Sequence, residues 1–386
     1  MRRISWFAVV VLAIVALVAA CAPAQQAPAK PAEPAKPAAQ PAKPAAEPAK
    51  PAAEPAKPAA APEAAKPTAA GAKRIRIGTC APNKPDDLSL AWLLTEFKNR
   101  VEKGSNGQLE VQVHWAGSLY CEVSAIKAML DGAIEMSTSS VQNAGTFTKG
   151  FFVLDMPFLF NSFDEVKKTI VLGPFNQQIK DLVNKDQPNM LTIAYINTDG
   201  LRDLECSKRV VTPSDMRGLK IRTTETPTDV ATWKALGAIA TPIAWAETYT
   251  AGTQNLIQCI GVGAGFWPIT AKMYEWHKYI TLIDYQTQLN VVHINKKFLE
   301  SLPQDQQKLI LDTAAALEKE GADIDIKYTE KALEWLKTQG KQEIITLTPE
   351  QKQQWVERAK PVYDEFKDRI PAGLLEGIQN HIKTLR

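Results

Sequence analysis

TPSDMRGLKIRTTETPTDVATWKALGAIATPIAWAETY, residues 212–249, is the stretch on which the fold turns. Thr212-Pro213-Ser214-Asp215 has turn chemistry: proline presets φ, while Ser and Asp side chains bond nearby backbone. Leu219-Lys220-Ile221-Arg222 alternates apolar and charged residues and reads as a strand. Thr228 to Leu236 is helical and stops at Gly237; Ile239 to Ile243 is extended, and Glu247 to Gly252 forms a short helix. Strand, helix and strand in 38 residues predict a parallel βαβ unit.

Downstream, Leu256 to Ile260 reads as a further strand; upstream, Leu191 to Asn197 is an apolar strand leading into Asp199-Gly200. A second module precedes these. Arg74 to Thr79 alternates, then breaks at Pro82. Ser89 to Lys103 carries Leu90, Leu93, Leu94, Phe97 and Val101 at helical spacing. Leu109 to Trp115 alternates with period two, Val123 to Leu130 is helical up to Asp131-Gly132, and Ile134 to Thr138 is a short strand. Two such modules predict an α/β chain of two lobes, with two parallel-rich sheets and a ligand cleft between them. Pro303 to Lys337 is mostly helical; unbroken, it would span about 50 Å and brace both lobes, with Gly321 as its bend point. The expected division is 74–199 plus 290–328 for lobe I and 200–289 plus 329–386 for lobe II.

The folded part is shorter than the 386-residue chain. Arg2 and Arg3, the apolar run Ile4 to Val18, then Ala19 and Ala20 before Cys21 have the order of a secretion signal. That run falls short of the roughly 20 residues that span a bilayer. Leu17-Val18-Ala19-Ala20-Cys21 resembles a bacterial lipobox, which makes Cys21 the expected lipidation site and residues 1–21 a lipoprotein signal peptide. Residues 22–73 repeat Pro, Ala, Lys and Glu, as in Pro48-Ala49-Lys50-Pro51, and offer nothing to a core. Proline at this density favours a polyproline II tether reaching on the order of 150 Å. The expected location is extracytoplasmic, lipid-anchored at a membrane.

Residues 74–386 hold 36 basic and 38 acidic side chains, a near-neutral balance with no basic stripe for nucleic acid. Cys80, Cys121, Cys206 and Cys259 allow three pairings if oxidised. Each follows a predicted strand, two per half, which favours Cys80–Cys121 and Cys206–Cys259 over free buried thiols. Four scattered histidines (His114, His277, His293, His381) lack metal-ligand spacing, and no nucleophile elbow or phosphate-binding loop is present. Gly261-x-Gly263-x-Gly265 lacks the spacing of a dinucleotide loop. No enzyme, metal or cofactor is expected.

The 212–249 stretch is similar to the signature of receptors for tripartite ATP-independent periplasmic (TRAP) transporters: proline-x-Asp-x-x-Gly-Leu-Lys-x-Arg, then Leu-Gly-Ala, then Pro-x-x-x-x-Glu-x-Tyr. Gly117-Ser118-Leu119, Leu154 to Phe160 (LDMPFLF), Gly200-x-Arg202 and Asn295 to Leu302 (NKKFLESL) agree with it in order. The resemblance implies a periplasmic-binding-protein-like fold and a receptor that closes on a small organic acid. It would hand that acid to the integral membrane subunits of the transporter. It assigns the carboxylate-gripping arginine to Arg222, whose planar fork matches both carboxylate oxygens, and a supporting arginine to Arg202. Trp245 falls where the family places an aromatic residue against the ligand, with Tyr249 one turn on. Thr223, Thr224 and Glu225 follow the arginine as polar candidates, although Glu225 beside an anion demands a ligand hydroxyl or amine.

One departure stands out. The family's Asp-Gly-Gln-Glu-Asn-Pro segment is replaced by Gln258-Cys259-Ile260-Gly261-Val262-Gly263, so Val262 occupies the asparagine position, with Phe266 and Trp267 following. The exchange favours a less hydroxylated, aromatic or aliphatic acid. The competing readings are a tethered lipoprotein serving another transporter or a sensor, and an adhesive or structural lipoprotein without a ligand.

Overall fold

In the computed structural model, residues 71–386 are described. The signal and lipobox at 1–21, Cys21 and nearly all of the 22–73 tether lie outside the described residues. The first strand already begins at Lys73, the last residue assigned to the tether.

Parallel pairing builds each half as the alternation predicts. β1 (Lys73–Gly78) lies between β2 (Leu109–His114) and β3 (Met136–Ser140), both parallel to it. The helix Ser89–Gly104 buries Leu90, Leu93, Leu94, Phe97 and Val101, the stripe its spacing dictates. In the second half β5 (Lys220–Thr223) is flanked in parallel by β6 (Ile239–Pro242) and β7 (Cys259–Gly263). The helix Pro227–Ala235 starts on its proline, whose missing N–H costs nothing there.

The expected pair of sheets is a single sheet in this structure, ordered β2-β1-β3-β8-β4-β7-β5-β6, with β9 (Glu343–Thr346) paired to β8. β4 (Met190–Cys206) and β8 (Tyr279–Asn295) are 17 residues each and run antiparallel through both halves. Asp199-Gly200 was expected to end the strand at Asn197. Instead both residues take positive φ, 65° and 72°, inside a register shift between Asn197 and Leu201, so β4 bends and continues.

β7 lies three residues beyond its expected position, because its glycines depress any strand reading from composition. Close approach requires them: a Cβ at Gly261 would collide with the Tyr285 hydroxyl, and one at Gly265, just after β7, with Asp199.

The bracing helix is two helices, Gln304–Gly321 and Ile324–Trp335. Gly321 is pressed so near Ile196 that a Cβ would sit 2.6 Å from its Cδ1. The first helix packs on Ser89–Gly104 and β4, the second on β4 and the short helix Phe266–Thr270. The C-terminal stretch divides its packing. Helix Pro349–Phe366 lies on Pro227–Ala235, while Ile378 and Ile382 of the last helix, Leu374–Leu385, join the core of Phe151, Phe152 and Ile179. Cys80 is bonded to Cys121, and Cys206 to Cys259, the latter two being register partners on β4 and β7. No helix among the described residues is long and apolar enough to cross a membrane.

Candidate functional site

Arg222 stands near the carboxyl end of the parallel strands β5, β6 and β7, where open α/β sheets receive ligands. Its neighbours in register are Thr241 and Ile260, and the residue is 2% exposed. Nε donates to the Ile243 carbonyl at 2.9 Å, and the guanidinium carbon lies 5.6 Å from the Trp245 ring centre. Among the described residues no carboxylate forms an ion pair with it. Burial, and then the nearby Arg202 charge, lower its pKa to about 10. It therefore stays a cation at neutral pH, held at a cost that an incoming anion relieves.

Arg202, on β4 just past the bend, is also 2% exposed. Its Nε donates to Tyr285 Oη at 3.0 Å and its Nη2 to the Gly261 carbonyl. Burial works against its charge, and Tyr285, Asp229 and Asp155 together outweigh that effect. Asp155, from the LDMPFLF run, has its carboxyl pushed up by burial and by Asp229. Thr224 Oγ1 donates to Asp229 Oδ2 at 2.8 Å, tying the loop after β5 to the same network. Asp229 favours the charge of both arginines and Glu122 favours that of Arg222, while among the described residues no carboxylate forms an ion pair with either.

Both arginines line one small cavity. Trp245 and Trp267 form one apolar wall, their rings 5.2 Å apart and nearly perpendicular. Val262 of β7 adds to it. Trp267 is held twice, its backbone N–H on Asp199 Oδ2 at 2.8 Å and its indole N–H on Thr198 Oγ1 at 3.2 Å, so the β4 bend sets the wall. Gln288 and Asn290 of β8, with Ser140 and Asn143 at the end of β3 and just beyond, supply polar edges. Glu122 completes the lining. Its Oε2 accepts from Ser140 N at 3.0 Å, Ser140 Oγ at 3.2 Å and Asn143 Nδ2 at 2.8 Å. Burial raises its pKa, and the three donors and Arg222 work against that.

Of the residues singled out in the sequence, Arg222, Arg202, Trp245, Thr224 and Trp267 are brought together around this cavity. Tyr249 is not: its hydroxyl donates to Glu275. Glu225 is exposed, one step beyond the cavity's Thr224, with its backbone N–H on Asn143. Phe266 turns to another, mostly apolar cavity with Tyr274, Tyr328 and Trp335, and its backbone N–H serves Asp199. A helical spacing had grouped Tyr249 with Trp245, but a 3₁₀ turn at Trp245–Glu247 rotates the next helix away. Sequence reading passed over Glu122, Ser140, Asn143, Gln288 and Asn290. A signal existed for three positions: Gln286, Gln288 and Asn290 alternate along a strand and share one of its faces, and two of them line this cavity.

The chain is similar to several known proteins. The chain is 27% identical over 307 residues to the C4-dicarboxylate-binding periplasmic protein DctP of Rhodobacter capsulatus, covering 78% of this chain and 87% of that one. A TRAP periplasmic solute-binding protein from Shewanella oneidensis, solved with bound succinate, superposes with a TM-score of 0.74 at 22% identity, covering 80% of this chain and 99% of the other. The sugar acid binding protein DctPAm from Advenella mimigardefordensis, solved with galactonate, gives a TM-score of 0.75 at 23% identity, with 82% and 99% covered. These likenesses show the two-lobed fold. The family described as bacterial extracellular solute-binding protein, family 7, matches residues 83–369, and the chain belongs to it.

Proposed function

We propose that the protein is an extracytoplasmic receptor that encloses a small organic carboxylate between its lobes and delivers it to a TRAP-type secondary transporter. The observation that carries this reading is Arg222: a buried guanidinium beside an aromatic wall, fixed through Nε, with neither terminal nitrogen bonded among the described residues. Such a fork matches the two oxygens of a carboxylate. Arg202, Trp245, Trp267 and Thr224 would line the bound ligand. Relatives that bind C4-dicarboxylates, succinate and galactonate support the ligand class, and a family of solute receptors disfavours the adhesive alternative. The lobes would be 74–199 with 290–328 and 200–289 with 329–386, hinged where β4 bends. Lipidation at Cys21 and the proline-rich tether would hold the receptor at a membrane surface. Mass spectrometry of ligand retained by the purified protein, with a thermal-shift screen of organic acids, tests the reading. A screen in which no organic anion stabilises the protein, and in which nothing anionic is retained, rejects it.

A further inference from the structure

Glu122 is the one acidic side chain lining the cavity that holds both arginines, and the chain goes to some length to place it. The residue has φ +50° and ψ −122°, a conformation unfavourable for any residue with a Cβ. It sits immediately after Cys121, whose bond to Cys80 ties this loop to the end of β1, and it directly precedes the helix Val123–Leu130. Three donors converge on Oε2. Among the described residues none donates to Oε1. Glu122 is half-buried in the cavity lining, so its carboxylate, with one oxygen saturated and the other unpartnered among the described residues, is an acceptor available to a ligand donor.

The charges in the cavity are as informative. Arg202 is tied by Tyr285 Oη and the Gly261 carbonyl, whereas among the described residues the Arg222 guanidinium bonds only the Ile243 carbonyl, so Arg222 is the guanidinium left for the ligand, and a single carboxylate suffices for it. A second ligand carboxylate would lie in the same small cavity as the Glu122 carboxylate, two like charges at close quarters.

We propose, building on the carboxylate-receptor reading above, that the ligand is a small monocarboxylate that also carries a hydroxyl or ammonium group. Glu122 Oε1 accepts from that group, and the Glu122 charge excludes dicarboxylates. The same electrostatic requirement was expected at Glu225 from its place after Arg222; the structure moves it to Glu122. It also replaces the less hydroxylated ligand inferred from Val262.

Isothermal titration calorimetry on the full chain, stripped of retained ligand, tests this with lactate, 3-hydroxybutyrate, L-alanine, propionate, butyrate and succinate. Wild-type protein should bind at least one hydroxy or amino acid about tenfold or more tightly than its unsubstituted counterpart and than succinate. Glu122→Gln, equal in shape and neutral, should raise succinate affinity relative to that acid by about tenfold. Wild-type preference for succinate or for the unsubstituted acids overturns the inference, as does an unchanged ratio in Glu122→Gln. Arg222→Ala separates the two readings. If it binds the preferred acid as wild type does, or if wild type binds nothing in the panel and retains no anion on purification, the receptor reading itself fails and takes this one with it; a wild type that ignores the panel but retains a different class of anion overturns this inference alone.

Discussion

Asn143 Oδ1 accepts a hydrogen bond from the backbone N–H of Glu225 at 3.2 Å, while Nδ2 of the same side chain donates to Glu122 Oε2 at 2.8 Å. Asn143 follows β3 in the first half of the sheet, and Glu225 follows β5 in the second. One amide therefore joins the cavity lining to the opposite half. Removing it should weaken the closed arrangement without touching either arginine. Asn143→Ala is expected to lose about tenfold in ligand affinity, the effect of one or two buried hydrogen bonds. Small-angle scattering with saturating ligand should show a larger radius of gyration than wild type if closure is what has been lost.

Arg222 makes opposite demands on stability and on binding. Its depressed pKa, about 10, records the cost of burying a cation beside a second one, Arg202, that Asp229 and Glu122 only partly offset. Arg222→Met should therefore leave the ligand-free melting temperature unchanged or raise it. Carboxylate affinity should fall by about 2–5 kcal/mol in calorimetry. Arg222→Lys should recover only part of the loss, since an ammonium cannot reproduce the paired donors.

The buried acids Asp199 and Asp325 set a pH dependence. Burial raises both pKa values, and the charge of Asp325 adds to the rise at Asp199. An acid with a raised folded pKa gives stability that is full below its unfolded value, about 3.9, and is lost as pH rises through the folded value. His293 acts in the other direction: burial lowers its pKa to about 3, so it loses stability as pH falls below about 6.5. Above about pH 6.5 His293 is neutral in both states, and the acids govern. Ligand-free melting temperature should therefore decline rather than rise with pH above that point, and Asp199→Asn should flatten the decline. Scanning calorimetry across that range checks it.

Cys80–Cys121 closes a separation of 41 residues directly beside Glu122. Cys80→Ser with Cys121→Ser should cost about 2–4 kcal/mol in denaturant unfolding. Ligand affinity should fall as well, because the strained loop at Glu122 loses its tie to β1. The pair Cys206→Ser and Cys259→Ser, two register partners away from the cavity lining, should lower stability while leaving affinity within about twofold.

Local chemistry made the two parallel modules legible in the chain alone. Period-two strands at Leu109–His114, the helical stripe of Leu90 to Val101, and the turn before Lys220 each act through neighbours a few residues away. Such patterns survive without knowledge of the rest. Arg222 was singled out through the resemblance of its motif, and the structure places it in the lining of a cavity.

What required the tertiary structure was every relation over long separations. β4 passes through a bend that its Asp-Gly pair disguises as a turn, and β8 pairs with β3, β4 and β9, so one sheet replaces two. Gly261 reads as a loop residue until Tyr285, 24 positions later, is seen to need its space. Glu122 is an ordinary acid before a helix until Arg222, a hundred residues on, shares its cavity. A side chain's charge is written in its code; the burial and the partners that give that charge its price come only from the residues that folding brings to it.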